Sequence, residues 1–247
     1  MKLIINADDF GLTPAVTRGI CDAMERGVVT STTMMVNAWA AEYAGALVRE
    51  TPELAVGLHI NVSLGEPLTD CPSLVREGRF IKPAALGGDD AYEEDELARE
   101  IAAQYERFVA MTGREPTHLD SHLYAHQKFP KVRRAVLALA EERGLPVRDA
   151  DTSRWKAPFF EGNFKVLPGE GTPELMEKFR RLVEALGEES CAELMVHPAW
   201  ADELLLCNSS YALQRLCEHS VLTSADAADC LRRLAVTPAS FRECEKR

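Results

Sequence analysis

The stretch "LIINADDFGLTPAV", residues 3–16, decides how the chain is read. An apolar run ends, and Asp8 and Asp9 follow with no basic residue between them and the end of that run. Thr13 is then a good helix N-cap, and Pro14 suits the first helical position. The segment "KLIINA" (2–7) is short, apolar and bounded by polar residues, as a buried strand is. Two adjacent carboxylates repel, so a purely structural role explains them poorly, although a strand-end turn or helix cap also favours Asp. One of them is read as a metal ligand and the other as a group that handles a proton.

Outward from this unit the same alternation repeats. The first helix carries Val16, Ile20, Ala23 and Met24 on one face and stops at Gly27. Residues 28–37 are β-branched and strand-like, 40–50 helical, and 54–63 a strand again. An amphipathic helix is expected over 93–111, a short strand or strand end over 117–122, and a helix over 131–144. A short strand follows at 145–151, then a helix over 173–186 and a strand over 192–200 that leads to His197. Residues 209–235 read as one or two helices, with Ser224 able to cap the second. Two irregular loops, 64–91 and 152–172, interrupt the rhythm as binding loops or lids do. Alternation of this kind specifies a parallel sheet wrapped by helices. The expectation is an α/β fold, an irregular (β/α) barrel of six to eight mostly parallel strands, in one domain over 1–247.

The net charge is −11 and the pI about 5.1, with no Lys/Arg-rich stripe, which argues against nucleic acid and anionic membranes as partners. No apolar run approaches the ~20 residues that span a bilayer, and the N-terminus lacks the apolar core of a signal peptide. The seven cysteines are scattered and form no CxxC; a reducing, cytoplasmic setting fits them. A homodimer is the expectation from the general habits of soluble oligomers.

The ionisable residues fall at the ends of the expected strands. Asp8 and Asp9 end the first, His59 lies late in the third, and His118, Asp120 and His122 sit on the next, with His126 just beyond. Arg148 and His197 end later ones. In a parallel barrel those ends open onto one face, the face that holds the active site. A carboxylate and two imidazoles make a three-donor catalytic metal site that leaves a position open for water or substrate. Asp9, His59 and His122 are the candidate ligands, with Asp8 beside them as the base. His59 and His197 taken singly also read as ordinary structural histidines. The run "HLDSHLYAH" is stronger, since it holds three of the six histidines. His219, in a helical stretch, reads as a surface residue.

The segments "NADDFG" (6–11), "TSTTMMVN" (30–37), "GLHINVS" (57–63), "THLDSH" (117–122) and "VHPA" (196–199) together resemble the YdjC-like carbohydrate deacetylases. The resemblance runs from residue 3 to about residue 199. It implies an irregular barrel related to the NodB-type polysaccharide deacetylases and one divalent metal ion, magnesium or zinc, on Asp9, His59 and His122. It also implies Asp8 as general base and His197 as general acid. Arg148 matches a frequent family arginine, and holding Asp8 in place is the role expected of it. Where many relatives carry further histidines after "LDSH", this chain has Leu123 and Tyr124, so His126, like Asp120, is assigned behind the ligands or against substrate.

The implied activity is hydrolysis of an N-acetyl group from an amino sugar or oligosaccharide. Trp200, Trp155 and Phe159 are candidates to stack on a sugar ring. Two alternatives stand beside this: a metal-dependent phosphoesterase on a similar barrel, for which the sequence shows no basic cluster, and a sugar-binding protein without turnover. Residues from about 205 onward carry no motif.

Overall fold

The computed structural model describes residues 1–82 and 91–247. The first half runs β1 (Lys2–Phe10), α1 (Pro14–Arg26), β2 (Ser31–Met34), α2 (Ala41–Glu50) and β3 (Val56–Ile60). It continues through a hairpin, β4 (Val75–Arg76) and β5 (Arg79–Phe80), to α3 (Glu94–Thr112), β6 (Leu119–Ser121), α4 (Ala125–Lys128) and α5 (Pro130–Arg143). The second half is β7 (Phe159–Glu161), α6 (Thr172–Ala185), β8 (Cys191–Val196), α7 (Glu203–Asn208), α8 (Gln214–Leu222), α9 (Ala225–Arg233) and β9 (Thr237–Ala239).

The main sheet has the order β6-β3-β2-β1-β8-β7, with β9 pairing beside β1, and its ladders are parallel. One edge of β1 pairs with β8 from Lys2 to Ala7. The other edge is shared: Lys2–Ile4 pair with β9, and β2 joins from Asn6 upward. Three strands separate β6 from β8 in the sheet, yet Asp120 of β6 and Glu193 of β8 both touch the Arg148 side chain. The sheet is therefore curled into a half-barrel with these residues inside it. Among the described residues no ladder joins β6 to β7 to close the ring.

Outside the curl, Leu3, Ile5 and Ala7 of β1 and Val16, Ile20 and Ala23 of α1 are fully buried in one continuous core. Each large apolar side chain so buried is worth ~1.5–3 kcal/mol. Inside and at the bottom, Ile4 packs with Ala239, Phe241 and Cys244. Phe241 lies flat on His118, ring centroids 3.5 Å apart. The C-terminal segment thus plugs the end of the half-barrel away from the site.

Several expected boundaries move. Thr13 caps α1 through Val16 N, and Ser224 caps α9 through Ala227 N, as read. The stretch 145–151 is not a strand: Val147 makes single bridges to Leu119 and Ala150, and Asp149, at a φ of 54°, turns the chain away at once. The expected loop 152–172 contains β7, and the expected loop 64–91 contains the β4–β5 hairpin; its residues 83–90 lie outside the described residues. All seven cysteines are free. Among the described residues no helix is long and apolar enough to cross a membrane.

Candidate active site

A regular strand sends consecutive side chains to opposite faces, so Asp8 and Asp9 could not both enter the half-barrel from an unbroken β1. The strand is broken there: its register against β2 shifts between Ala7 and Phe10, and Asp9 takes a left-handed φ of 73°. This bulge turns both carboxylates into one chamber of about 380 Å³ at the C-terminal mouth of the sheet. Leu123 and Tyr124, which follow His122, and Asp149, which follows Arg148, are also left-handed. Such backbone costs of order 1 kcal/mol or more per residue and gathers at functional sites.

Below the chamber floor Arg148 is fully buried among three carboxylates. Its Nη1 and Nη2 donate to Asp8 Oδ2 and Oδ1, both at 2.7 Å. Its Nε donates to Glu193 Oε1 at 2.8 Å, and Nη1 lies 2.9 Å from Asp120 Oδ2. Asn6 Nδ2 adds a 2.9 Å bond to Asp8 Oδ1. The bidentate fork fixes the plane of the Asp8 carboxylate. Burial opposes the charge on Arg148, but Asp120, Asp8 and Glu193 more than offset this and raise its pKa. Burial also raises Glu193, to about 7, against the pull of Arg148.

Above the floor, one oxygen of Asp9 meets two imidazoles. Oδ1 is 3.0 Å from His122 Nδ1 and 3.3 Å from His59 Nε2. Donor atoms sharing an ion at ~2.1 Å lie about 3–3.4 Å from one another, so these spacings fit a divalent cation. His59 Nδ1 is 2.7 Å from Asp120 Oδ1, and Thr33 Oγ1 donates to Asp120 Oδ2 at 2.9 Å. Asp120 thus sets the ring so that Nε2 faces Asp9, the usual arrangement behind a metal-bound histidine. Burial would lower His59, but the charge and hydrogen bond of Asp120, with a bond from Asp9, raise it to about 10. Burial would likewise raise Asp9, yet Arg215 and His122 hold it ionised well below the usual carboxylate range. A second group, Asp8, His59 and Asp120, also clusters, but Arg148 already holds both of its carboxylates.

The segment from 205 onward, silent in the sequence, completes the site from α8. Arg215 Nη2 donates to Asp9 Oδ2 at 2.6 Å, leaving Oδ1 to the imidazoles. Glu218, fully buried, accepts the His197 backbone N–H at 2.5 Å and the Tyr211 hydroxyl at 2.5 Å. Its carboxyl is raised to about 7 by burial, against those bonds and Arg215. His197 lines the chamber, and burial, then the charge of Arg215, lower its pKa to about 4. Arg215, Glu218 and Leu222 lie on the buried stripe of α8; two charges at i, i+3 on an apolar face are the trace they leave in the sequence.

The remaining candidates fall elsewhere. His126 is buried with both ring nitrogens engaged, Nδ1 by Ser121 Oγ at 2.6 Å and Nε2 by the Arg148 carbonyl at 3.0 Å. It supports Arg148 from behind and touches neither chamber nor ligands. Trp200 is exposed and lies edge-on to His219, centroids 6.2 Å apart, outside the chamber; Trp155 packs near the C-terminal plug, and Phe159 borders a separate hollow. The chamber's aromatic walls are instead Trp39, Tyr124, Phe164 and Tyr211, and it also gathers Lys82 and Lys165, cations too far apart in sequence to read as a cluster. His219 is half-buried and paired with Asp22 at 2.8 Å.

The curled parallel sheet is a fold shared with a carbohydrate esterase of family 4. The Streptomyces lividans enzyme of that family, solved with acetate, aligns with a TM-score of 0.56 at 12% identity over 100% of this chain and 96% of its own. The crystal structure of an Enterococcus faecalis V583 protein named for cellobiose-phosphate cleavage aligns with a TM-score of 0.87 at 32% identity, covering 97% of each chain. The chain belongs to the YdjC-like protein family, whose model matches residues 2–233. It is 39% identical to the chitooligosaccharide deacetylase of Salmonella paratyphi B, with 97% of each chain covered.

Proposed function

We propose that this protein hydrolyses the N-acetyl group of an amino sugar or of an oligosaccharide built from amino sugars. The observation that carries this reading is the convergence of Asp9 Oδ1, His59 Nε2 and His122 Nδ1 beside an Arg148-held Asp8 in one chamber. The relatives' names supply the chemical class. A divalent ion on Asp9, His59 and His122 would polarise the amide carbonyl and a water molecule. One carboxylate with two imidazoles suits zinc better than magnesium.

Asp8 takes a proton from the attacking water as oxygen adds to the amide carbon. The fork from Arg148 keeps the carboxylate aimed while it does so. The C–N bond then breaks, the nitrogen is protonated, and acetate and the free amine leave. His197 is the proton donor to that nitrogen. Its ring rests neutral, pulled down to about 4. The proton it delivers is therefore the one that Asp8 removes from the water, passed to the ring as negative charge develops on the bound substrate and then to the nitrogen as the C–N bond breaks. Arg215 holds Asp9 by the oxygen facing away from the imidazoles.

The deciding assay is acetate release from N-acetylated chitooligosaccharides with and without a chelator. Release that stops on chelation and returns with added zinc supports the reading. Undiminished release under chelation would remove the metal role, and no release under any metal would remove the deacetylase.

A further inference from the structure

Beside the catalytic chamber lies a second cavity of about 240 Å³, and the two share Trp39 and Leu64 as a common wall. Its other polar groups are Asn37, Glu66 and Arg79. We infer that this second cavity is a sugar subsite, holding the pyranose next to the one that carries the scissile acetamido group, with Trp39 as the platform between them. The inference rests on the deacetylase reading for the identity of the neighbouring ring, and on the geometry of this cavity for everything else.

Trp39 is 41% exposed, between β2 and α2 at the same mouth of the sheet as Asp9 and His59. A pyranose has a face of C–H groups and a rim of hydroxyls. An indole covers the first, while an amide, a carboxylate and a guanidinium bind the second through paired hydrogen bonds. This cavity offers the indole of Trp39, the carboxylate of Glu66 and the guanidinium of Arg79, while the amide of Asn37 is tied into the wall by Asn61 and the Glu66 carbonyl. The wall is also built before any ligand arrives. Asn61, fully buried, donates to Asn37 Oδ1 at 3.0 Å and to the Leu64 carbonyl at 2.7 Å, and accepts from Ser63 N and Leu64 N. The Gly65 carbonyl accepts from Phe80 N at 2.9 Å, which seats the β4–β5 hairpin, and with it Arg79, against the same loop. A preformed wall spares the ordering that binding would otherwise require. Trp200, the tryptophan favoured by sequence, has no such surroundings.

The test compares N-acetylglucosamine with N,N′-diacetylchitobiose and reads both turnover and binding. The wild type is expected to prefer the disaccharide in kcat/KM. Trp39→Ala and Arg79→Ala are each expected to lower the disaccharide-to-monosaccharide ratio, Trp39→Ala by about tenfold. Equal losses on both sugars, or an unchanged ratio, would overturn the subsite. Calorimetric binding of the disaccharide to the chelated protein separates this inference from the reading beneath it. Binding weakened in both variants supports the subsite even if the wild type releases no acetate, in which case only the deacetylase assignment falls. Binding equal to wild type in both overturns the subsite whatever the turnover.

Discussion

Arg215 Nη2 lies 2.6 Å from Asp9 Oδ2, although 206 positions separate the two residues. Both are buried, so the guanidinium is the fixed countercharge of the candidate metal ligand. Removing one partner of a buried pair leaves the other uncompensated, at a cost of about 3–5 kcal/mol. Arg215→Met is therefore expected to lower the melting temperature of the metal-free protein. Added zinc, which supplies the missing positive charge, should raise the melting temperature of the variant by more than that of the wild type. Thermal scans in chelator and in zinc read both effects; an equal or smaller rise in the variant would show that Arg215 is not that countercharge.

Asp8→Asn separates the proposed base from the candidate ligands. Asp9, His59 and His122 are untouched, and Arg148 keeps Glu193 and Asp120 as anionic partners. Metal content per chain should match wild type, while kcat falls by about 10²–10⁴. Metal analysis alongside acetate release checks this, and turnover near wild type would remove Asp8 as the base.

Where sequence and structure agree, the signals are local. Thr13 before Pro14 starts α1, Gly27 and Gly144 follow the ends of helices, and apolar runs between them mark β1 and β8. The gathering of Asp9, His59 and His122 needs one further step, because parallel strands deliver their C-terminal ends to one face. What the sequence withholds depends on contacts between distant residues. The bulge that lets Asp8 and Asp9 share a chamber is a register shift against β2, invisible in either strand alone. Arg215 and Glu218 act only once α8 is docked. Trp39 and Trp200 are equally exposed indoles, and only the cavities around them tell them apart.

His118 carries a pH signature for stability. It is fully buried, stacked on Phe241, and burial lowers its pKa from 6.5 to about 3. Between those values the unfolded chain binds a proton that the folded one refuses, so this group's contribution is lost as pH falls below 6.5. Raised carboxyls such as Glu193 and Glu218 act in the opposite sense, losing stability as pH rises toward 7, so the group is best isolated as a difference. The stability of the wild type relative to His118→Phe should fall by about 2 kcal/mol between pH 7 and pH 5. Denaturant unfolding at the two pH values measures it, and a difference that does not change with pH would mean that His118 titrates normally in the fold.

Gly19 links a helix to the candidate proton donor. A Cβ built on it would stand 2.4 Å from Trp200 N and 2.7 Å from Ala199 C and Cα, which are backbone atoms that cannot swing aside. The turn it would strike is held from both sides: Ala15 N donates to Asp202 Oδ2 at 2.9 Å, and Ala199 N donates to the Arg215 carbonyl at 3.3 Å. Gly19→Ala must therefore shift the turn or α1 as a unit, and His197 lies two residues upstream of Ala199. The donors on Asp9, His59 and His122 sit on other segments, so metal content should stay at the wild-type level. A displacement of about 1 Å at a reacting group is enough for a loss of about 10²-fold in turnover. Displacing packed backbone costs ~1–3 kcal/mol, more than the gain in helix propensity of up to ~1 kcal/mol, so the melting temperature is expected to fall as well. Kinetics, metal content and melting temperature of this one variant discriminate: wild-type turnover would show that α1 does not set the position of His197.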